Sequence, residues 1–172
     1  MGTSGRSGVR LDVRGRGEAS VETGVPVLNS LLARLAQVAG FDLVLELEPG
    51  EATAEVDAAA DALGAALRDA VRAEGATGWG AATLTSAESL AHVALERSEE
   101  PLLVSNVDLT EARIAGLETD VVRRFLERLA DRAGLVLHVR LLTGTDAQHV
   151  LEAIFKALGA ALSLACREGG TT

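Results

Sequence analysis

The sequence predicts an α+β fold built as two similar βαβα halves, with mostly antiparallel sheets packed against helices. Three observations predict it. Leu32-Ala33-Arg34-Leu35-Ala36-Gln37-Val38-Ala39-Gly40 and Leu126-Glu127-Arg128-Leu129-Ala130-Asp131-Arg132-Ala133-Gly134 share the pattern L-x-R-L-A-x-x-A-G, 94 residues apart. Each leads into an alternating apolar–polar segment and then into Ala-Leu-Gly-Ala-Ala-Leu, at Ala62–Leu67 and Ala157–Leu162, 95 residues apart. Two matches in the same order at nearly one offset indicate an internal duplication. Third, 48% of the residues are apolar, yet there are only three Phe, one Trp and no Tyr. A core of Leu, Val and Ala suits helices laid on sheets.

Each element follows from its own pattern. Residues 1–8 read as a flexible tail without a hydrophobic leader segment. Val9 to Val13 alternates as a half-buried strand does, and Gly15 and Gly17 punctuate a turn. Glu18 to Glu22 is expected to return as the second strand of a hairpin. Pro26 suits a first helical turn, Leu28, Leu31, Leu32, Leu35 and Val38 recur at helical spacing, and Gly40 stops the run. Phe41, Leu43, Leu45 and Leu47 form the dry face of a strand that Pro49-Gly50 ends. An alanine-rich helix is expected from about 54 to 73. Gly75-Ala76-Thr77-Gly78-Trp79-Gly80 is a glycine loop without the spacing or lysine of a phosphate-binding loop, and Trp79 is expected to lid a small apolar patch. Strands are expected at Ala81–Leu84, Leu90–Glu96 and Leu102–Ser105, then an irregular acidic connection from Asp108 to Gly116. A helix over Asp120–Ala133, capped by Gly134, leads to a strand over Leu135–Leu142 and a long helix from about 147 to 166. The half-repeats are placed at 9–80 and 81–168, with a second tail at 169–172.

Composition excludes several function classes. Net charge is −9, with 16 Lys and Arg against 25 Asp and Glu. No basic patch or aromatic platform is available for nucleic acid. A single cysteine, Cys166, builds neither a disulfide framework nor a zinc cluster; it suits a reducing cytoplasm and is expected to pack inside. No unbroken apolar run reaches the roughly 18 residues of a membrane span.

One stretch concentrates candidate chemistry. His149, Glu152 and Lys156, the sole lysine, share a stripe on the last helix. An imidazole, a carboxylate and an ammonium there could make a site. The competing account is a solvated face with a Glu-to-Lys pair worth about 0.3–0.5 kcal/mol. The repeat offers its own comparison. At an offset of 95, Glu152 falls on Asp57, His149 on Ala54 and Gln148 on Thr53. The acidic position occurs in both halves and the imidazole in one, so half of a symmetric two-metal constellation is absent.

From about residue 9 to 166 the chain resembles the imidazoleglycerol-phosphate dehydratase family, manganese enzymes of histidine biosynthesis. Thr23-Gly24-Val25-Pro26-Val27-Leu28-Asn29-Ser30-Leu31-Leu32 sits on that family's T-G-I-x-F-L-D-H-M-L, and Gly144 to Ala157 sits on G-x-N-x-H-H-x-x-E-A-x-F-K-A. Leu142-Thr143-Gly144, Glu88-Ser89-Leu90-Ala91 and Val122 to Phe125 fall on further family positions. The resemblance implies a duplicated fold, large symmetric shells with metal sites between subunits, and two manganese ions held by six histidines and two glutamates. Carried over by position, His138, His149 and Glu152 remain as metal residues, and Glu152 and Asp57 occupy the catalytic carboxylate positions. The D-H-M-L histidine is Ser30, and the first histidine of the last motif is Gln148. The first-half H-H-x-x-E-D falls on Thr53-Ala54-Glu55-Val56-Asp57-Ala58. Of the phosphate-side residues, Lys156 remains. The G-I-x-R-x-G arginine falls on Gly78, and the S-G-R arginine falls near Glu99-Glu100.

Manganese needs several imidazole or carboxylate ligands in fixed geometry, and Ser, Thr and Ala supply weak donors or none. The expectation is therefore a family member with the manganese pair largely lost and catalysis given up, a residual manganese ion at the survivors being left open. The alternative is an active or impaired lyase converting imidazole glycerol phosphate to imidazole acetol phosphate. A homo-oligomer is expected, with hetero-assembly alongside a true dehydratase left open. His92 has no family ligand position and reads as an ordinary strand residue.

Overall fold

A computed structural model describes residues 8–107, 113–114 and 117–168. The expected tail at 1–8, save Gly8, which opens the first strand, the tail at 169–172 and most of the expected acidic connection lie outside the described residues.

The elements are β1 (Gly8–Asp12), β2 (Ala19–Glu22), α1 (Pro26–Ala39), β3 (Asp42–Glu46), α2 (Ala52–Val71), β4 (Trp79–Ser86), β5 (Ser89–Arg97), β6 (Leu102–Ser105), β7 (Arg113–Ile114), β8 (Leu117–Glu118), α3 (Thr119–Ala133), β9 (Leu135–Thr143) and α4 (Ala147–Cys166). Gly40 and Gly134 follow α1 and α3 with φ of 75° and 67°, the left-handed backbone that ends a helix at little cost to glycine.

β1 and β2 both flank β3, in the order β1-β3-β2. The expected hairpin is therefore corrected: β3 lies between the two strands, antiparallel to β1 and parallel to β2. Helix α1 makes the crossover that a parallel pair requires. The larger sheet has the order β4-β5-β9-β6 and repeats this arrangement, with β9 antiparallel to β5 and parallel to β6. Val9 pairs with Leu45 as Val93 pairs with Val139, and Val21 pairs with Leu45 as Ser105 pairs with Val139. The fold is the expected duplication, with β4 added at the edge of the second sheet.

Helices α1 and α2 lie on the first sheet, and α3 and α4 on the second; α1 packs on α4, and α2 on α3. The four helices thus fill the space between the sheets. Phe41, Phe125 and Phe155 are fully buried among Leu and Ala side chains, with the last two rings 5.8 Å apart.

Helix α4 is buried against β4 on one side and α1 on the other, and two glycines permit that closeness. A Cβ at Gly80 would lie 2.1 Å from the Ala161 carbonyl oxygen, and one at Gly159 would lie 2.4 Å from that of Leu35. By length and composition alone α4 is long and apolar enough to cross a membrane, although Glu152 and Lys156 interrupt its apolar run, and its apolar residues are placed in the core.

Trp79 opens β4 and is 64% exposed. With Ala81, Ala94, Val136 and His138 it lines a depression of about 290 Å³ on the outer face of the second sheet. It borders that patch and does not cover it. Cys166 is half-buried, and burial pushes its thiol up to about 11.

Candidate functional site

The site is built where the β4–β5 hairpin meets the N-terminus of α4. Ser86 pairs with Ser89, so Ala87 and Glu88 form the turn, and Ala87 takes a φ of 50° that L-residues seldom adopt. This places the Glu88 carboxylate at the start of α4, where backbone N–H groups lack helical partners. Oε2 accepts from the backbone N–H of Thr145 at 3.2 Å and of Asp146 at 3.1 Å, and from Ser89 Oγ at 2.9 Å. Oε1 is 2.5 Å from His149 Nδ1. Asp146 caps the same helix end by accepting from the His149 backbone N–H at 3.1 Å. Gly144 closes the corner, since a Cβ there would meet Ser89 Oγ at 2.4 Å.

The electrostatics follow from this packing. The Asp146 N–H first, and the His149 ring second, hold the Glu88 carboxyl far below the usual carboxylate range. The Glu88 hydrogen bond raises His149 above its ordinary value, and the nearby Asp146 and Glu152 charges act in the same direction.

All three members of the predicted stripe turn to this one hairpin. His149 contacts Glu88, Glu152 Oε2 accepts from Ser86 Oγ at 3.1 Å, and Lys156 Nζ donates to the Thr85 carbonyl oxygen at 2.7 Å. No ion pair joins Glu152 to Lys156 among the described residues. His149 is oriented as a metal-bound histidine would be, with a carboxylate on one ring nitrogen. His149 and Glu152 are the residues that could still hold an ion.

Asp57 lies elsewhere, on α2. Its two oxygens accept from Arg124 Nε at 2.9 Å and Nη2 at 2.8 Å, and Arg128 lies 3.7 Å away. One turn on, Asp61 accepts from Arg128 at 3.1 and 2.7 Å and from Arg132 at 3.2 Å. Burial works against the Asp61 charge, but the two arginines outweigh it and hold its carboxyl below the ordinary value. Asp61 in turn raises Arg128.

His138 is not brought to the stripe. It pairs with Ala94 and Val104 on strands whose alternate residues, Leu137 and Val139, are buried. It therefore faces outward, across the sheet from α4. His92 is an ordinary strand residue in a cross-strand pair, its Nδ1 2.7 Å from Thr83 Oγ1. Among the described residues no three His, Cys, Asp or Glu side chains are grouped to hold a metal ion.

Sequence reasoning missed several contributors. Glu88 was visible only as part of Glu88-Ser89-Leu90-Ala91, a segment in register with the resembled family, without a site role. The arginine row was legible, since Arg124, Arg128 and Arg132 recur every four residues and Asp57 and Asp61 share that step. Glu55 is buried beside Gly24 and accepts the Gly50 N–H at 2.8 Å, and no local pattern announces it.

Comparison with known proteins bears on most of the chain. The family model for imidazoleglycerol-phosphate dehydratase matches residues 23–162. The imidazoleglycerol-phosphate dehydratase of Pelobacter propionicus is 33% identical over 162 residues, covering 91% of this chain and 83% of that protein. That of Syntrophobacter fumaroxidans is 37% identical over 161 residues, covering 91% and 82%. The crystal structure of imidazoleglycerol-phosphate dehydratase from Staphylococcus aureus superposes with a TM-score of 0.86 at 25% identity, covering 94% of this chain and 93% of that one. A Pyrococcus furiosus structure shares the fold with a TM-score of 0.82 at 24% identity.

Proposed function

The chain belongs to the imidazoleglycerol-phosphate dehydratase family, and from that premise we propose that it is a non-catalytic member, its scaffold kept and its two-manganese chemistry given up. The observation that carries this is the engagement of the carboxylates. Asp57 is held by Arg124 and Arg128, and Glu152 is turned to Ser86.

The residues present do not fit a manganese pair. At the positions of the family's ligands stand Ser30, Thr53, Ala54 and Gln148, which offer hydroxyl or amide oxygens or nothing. Asp57 meets guanidinium groups, and His138 faces away from His149 and Glu152. The anion clamp is also reduced: Gly78 and the Glu99-Glu100 pair carry no positive charge where the family has arginines, and Lys156 donates to a backbone carbonyl.

On this proposal the protein works in the cytoplasm as an assembling subunit, with copies of itself or with a ligand-complete dehydratase. The exposed Trp79, Leu102 and Val104 support an assembly role. The division into half-repeats 9–80 and 81–168 belongs to the same proposal.

A second reading is favoured by the 33–37% identity to relatives named as dehydratases, over more than four-fifths of their length. It makes the chain an active lyase with a residual manganese ion at His149 and Glu152. One experiment separates the two: metal analysis and light scattering of purified protein, with turnover of imidazole glycerol phosphate followed before and after chelation. No bound manganese, no turnover and an oligomer are expected. Stoichiometric manganese with chelator-sensitive turnover overturns the proposal.

A further inference from the structure

We infer that the α2–α3 seam is a charge clip in which Asp57 has become a guanidinium acceptor instead of a metal donor, and that this clip fastens the two halves along one side only. Three observations carry it.

The first is geometric. α2 and α3 run in the same direction, so a four-residue step on one meets a four-residue step on the other: Arg124 meets Asp57, and Arg128 meets Asp61. Both contacts are fork-to-fork, with Nε and Nη2 each reaching one carboxylate oxygen, and Arg132 adds a third rung. Bidentate arginine occupies the oxygen lone pairs that a divalent ion would use, and its fixed charge repels that ion.

The second comes from the duplication. Gly64 and Gly159 are repeat equivalents, and they sit against equivalent backbone, near the carbonyl oxygens of Leu129 and Leu35. The close approach of helices is thus common to both seams. The charges are not. Ser30, Arg34 and Val38 on α1 stand where α3 has Arg124, Arg128 and Arg132, while Glu152 and Lys156 on α4 stand where α2 has Asp57 and Asp61. The α1–α4 seam therefore has no arginine row, and Glu152 and Lys156 turn to the β4–β5 hairpin.

The third is burial. The Asp57 side chain is 18% exposed against 53% for Arg124, and Asp61 is 33% exposed against 35% for Arg128 and 55% for Arg132. Asp57 is seated beneath Arg124, Arg128 lies level with Asp61, and Arg132 closes over Asp61 from outside. A network of this kind gains over isolated surface pairs because one arginine serves two carboxylates.

The inference rests on the non-catalytic reading only for the fate of Asp57; the coupling itself is measured without substrate, so the two fail separately. The test is a thermal double-mutant cycle on the full chain with Asp57→Asn, Arg124→Gln and the double variant. Each arm is run without metal, with 1 mM manganese chloride, and in 1 M sodium chloride. Each single change is expected to lower the midpoint by about 2–4 °C, the double change no more than the larger single, and high salt to shrink the difference. Additive single effects overturn the clip. So does a manganese-induced rise in the wild-type midpoint that Asp57→Asn abolishes. A rise that survives Asp57→Asn places the ion elsewhere and supports the reassignment of Asp57.

Discussion

Substituting Gly159 tests whether contact between helices α1 and α4 sets the position of the α4 stripe. Gly159→Ala adds a Cβ 2.4 Å from the Leu35 carbonyl oxygen and 3.1 and 3.2 Å from its carbonyl carbon and Cα. These are backbone atoms within a helix, so no side chain can swing aside. Restoring ordinary contact moves α1 away by about 1 Å and loosens its packing along Leu28, Leu31, Leu32 and Leu35. Alanine gains about 1 kcal/mol over glycine in a helix interior, and overpacking of this kind costs about 1–3 kcal/mol. Because the obstructing atoms are helix backbone, the cost falls in the upper part of that range, about 2–3 kcal/mol, and the net expectation is a loss of about 1–2 kcal/mol, or about 5 °C in the thermal midpoint. Gly50→Ala is the control, because its Cβ meets nothing within 4 Å, and it should stay within about 0.5 kcal/mol of wild type. Urea midpoints at unchanged slope are the assay. A Gly159→Ala chain as stable as wild type, or more so, refutes the packing account.

Other consequences are open to simple measurement. The backbone N–H groups of Arg16 and Glu18 hold the Asp42 carboxyl below its ordinary 3.8, so its ionised form stabilises the fold above that value and the contribution is lost as pH falls below it. Asp42→Asn should therefore cost most near neutral pH, and the gap to wild type should close on acidification; a gap that does not change with pH counts against the assigned cause. Cys166, with its thiol pushed up to about 11, should react slowly with a thiol reagent at pH 8 in the native state and readily in urea. Trp79, 64% exposed on a single chain, should lose iodide quenching as concentration drives assembly if its sheet face is an interface, and constant quenching across an oligomerisation transition excludes that face.

Apolar periodicity carried most of the fold, because it reports which face of an element is dry. The α1 leucines, the β3 alternation and the whole of α4 were readable for that reason. The misplaced hairpin shows where this stops. Alternation in Glu18 to Glu22 marks a strand with one buried face, but it does not name the neighbour, and the partner of β2 is set by the crossover through α1. The site was legible to the same depth. Helical spacing placed His149, Glu152 and Lys156 on one stripe, but their partners lie more than sixty residues earlier in a hairpin turn. Asp57 read as a carboxylate at a ligand position, and only the tertiary contact with α3 shows that arginines hold it.

On the proposed reading, the two halves show why a fold can outlast its chemistry. Gly64 and Gly159, Leu129 and Leu35, and the antiparallel-then-parallel strand order recur because each is constrained from several sides: a Cβ at Gly159 strikes the Leu35 carbonyl oxygen, and one at Gly64 strikes the Arg132 Cβ. A metal ligand is constrained only by the ion. Once the ion is dispensable, a carboxylate on a helix surface is free to take whichever cation its surroundings offer. On α2 that cation is guanidinium, because α3 presents arginines at a matching step. On α4, where α1 presents Ser30 in place of Arg124 and Val38 in place of Arg132, and its one arginine of the row, Arg34, turns to Gln37, Glu152 accepts from a serine instead. Equivalent carboxylates in one chain thus have different partners, and the difference follows from the helix that each one faces.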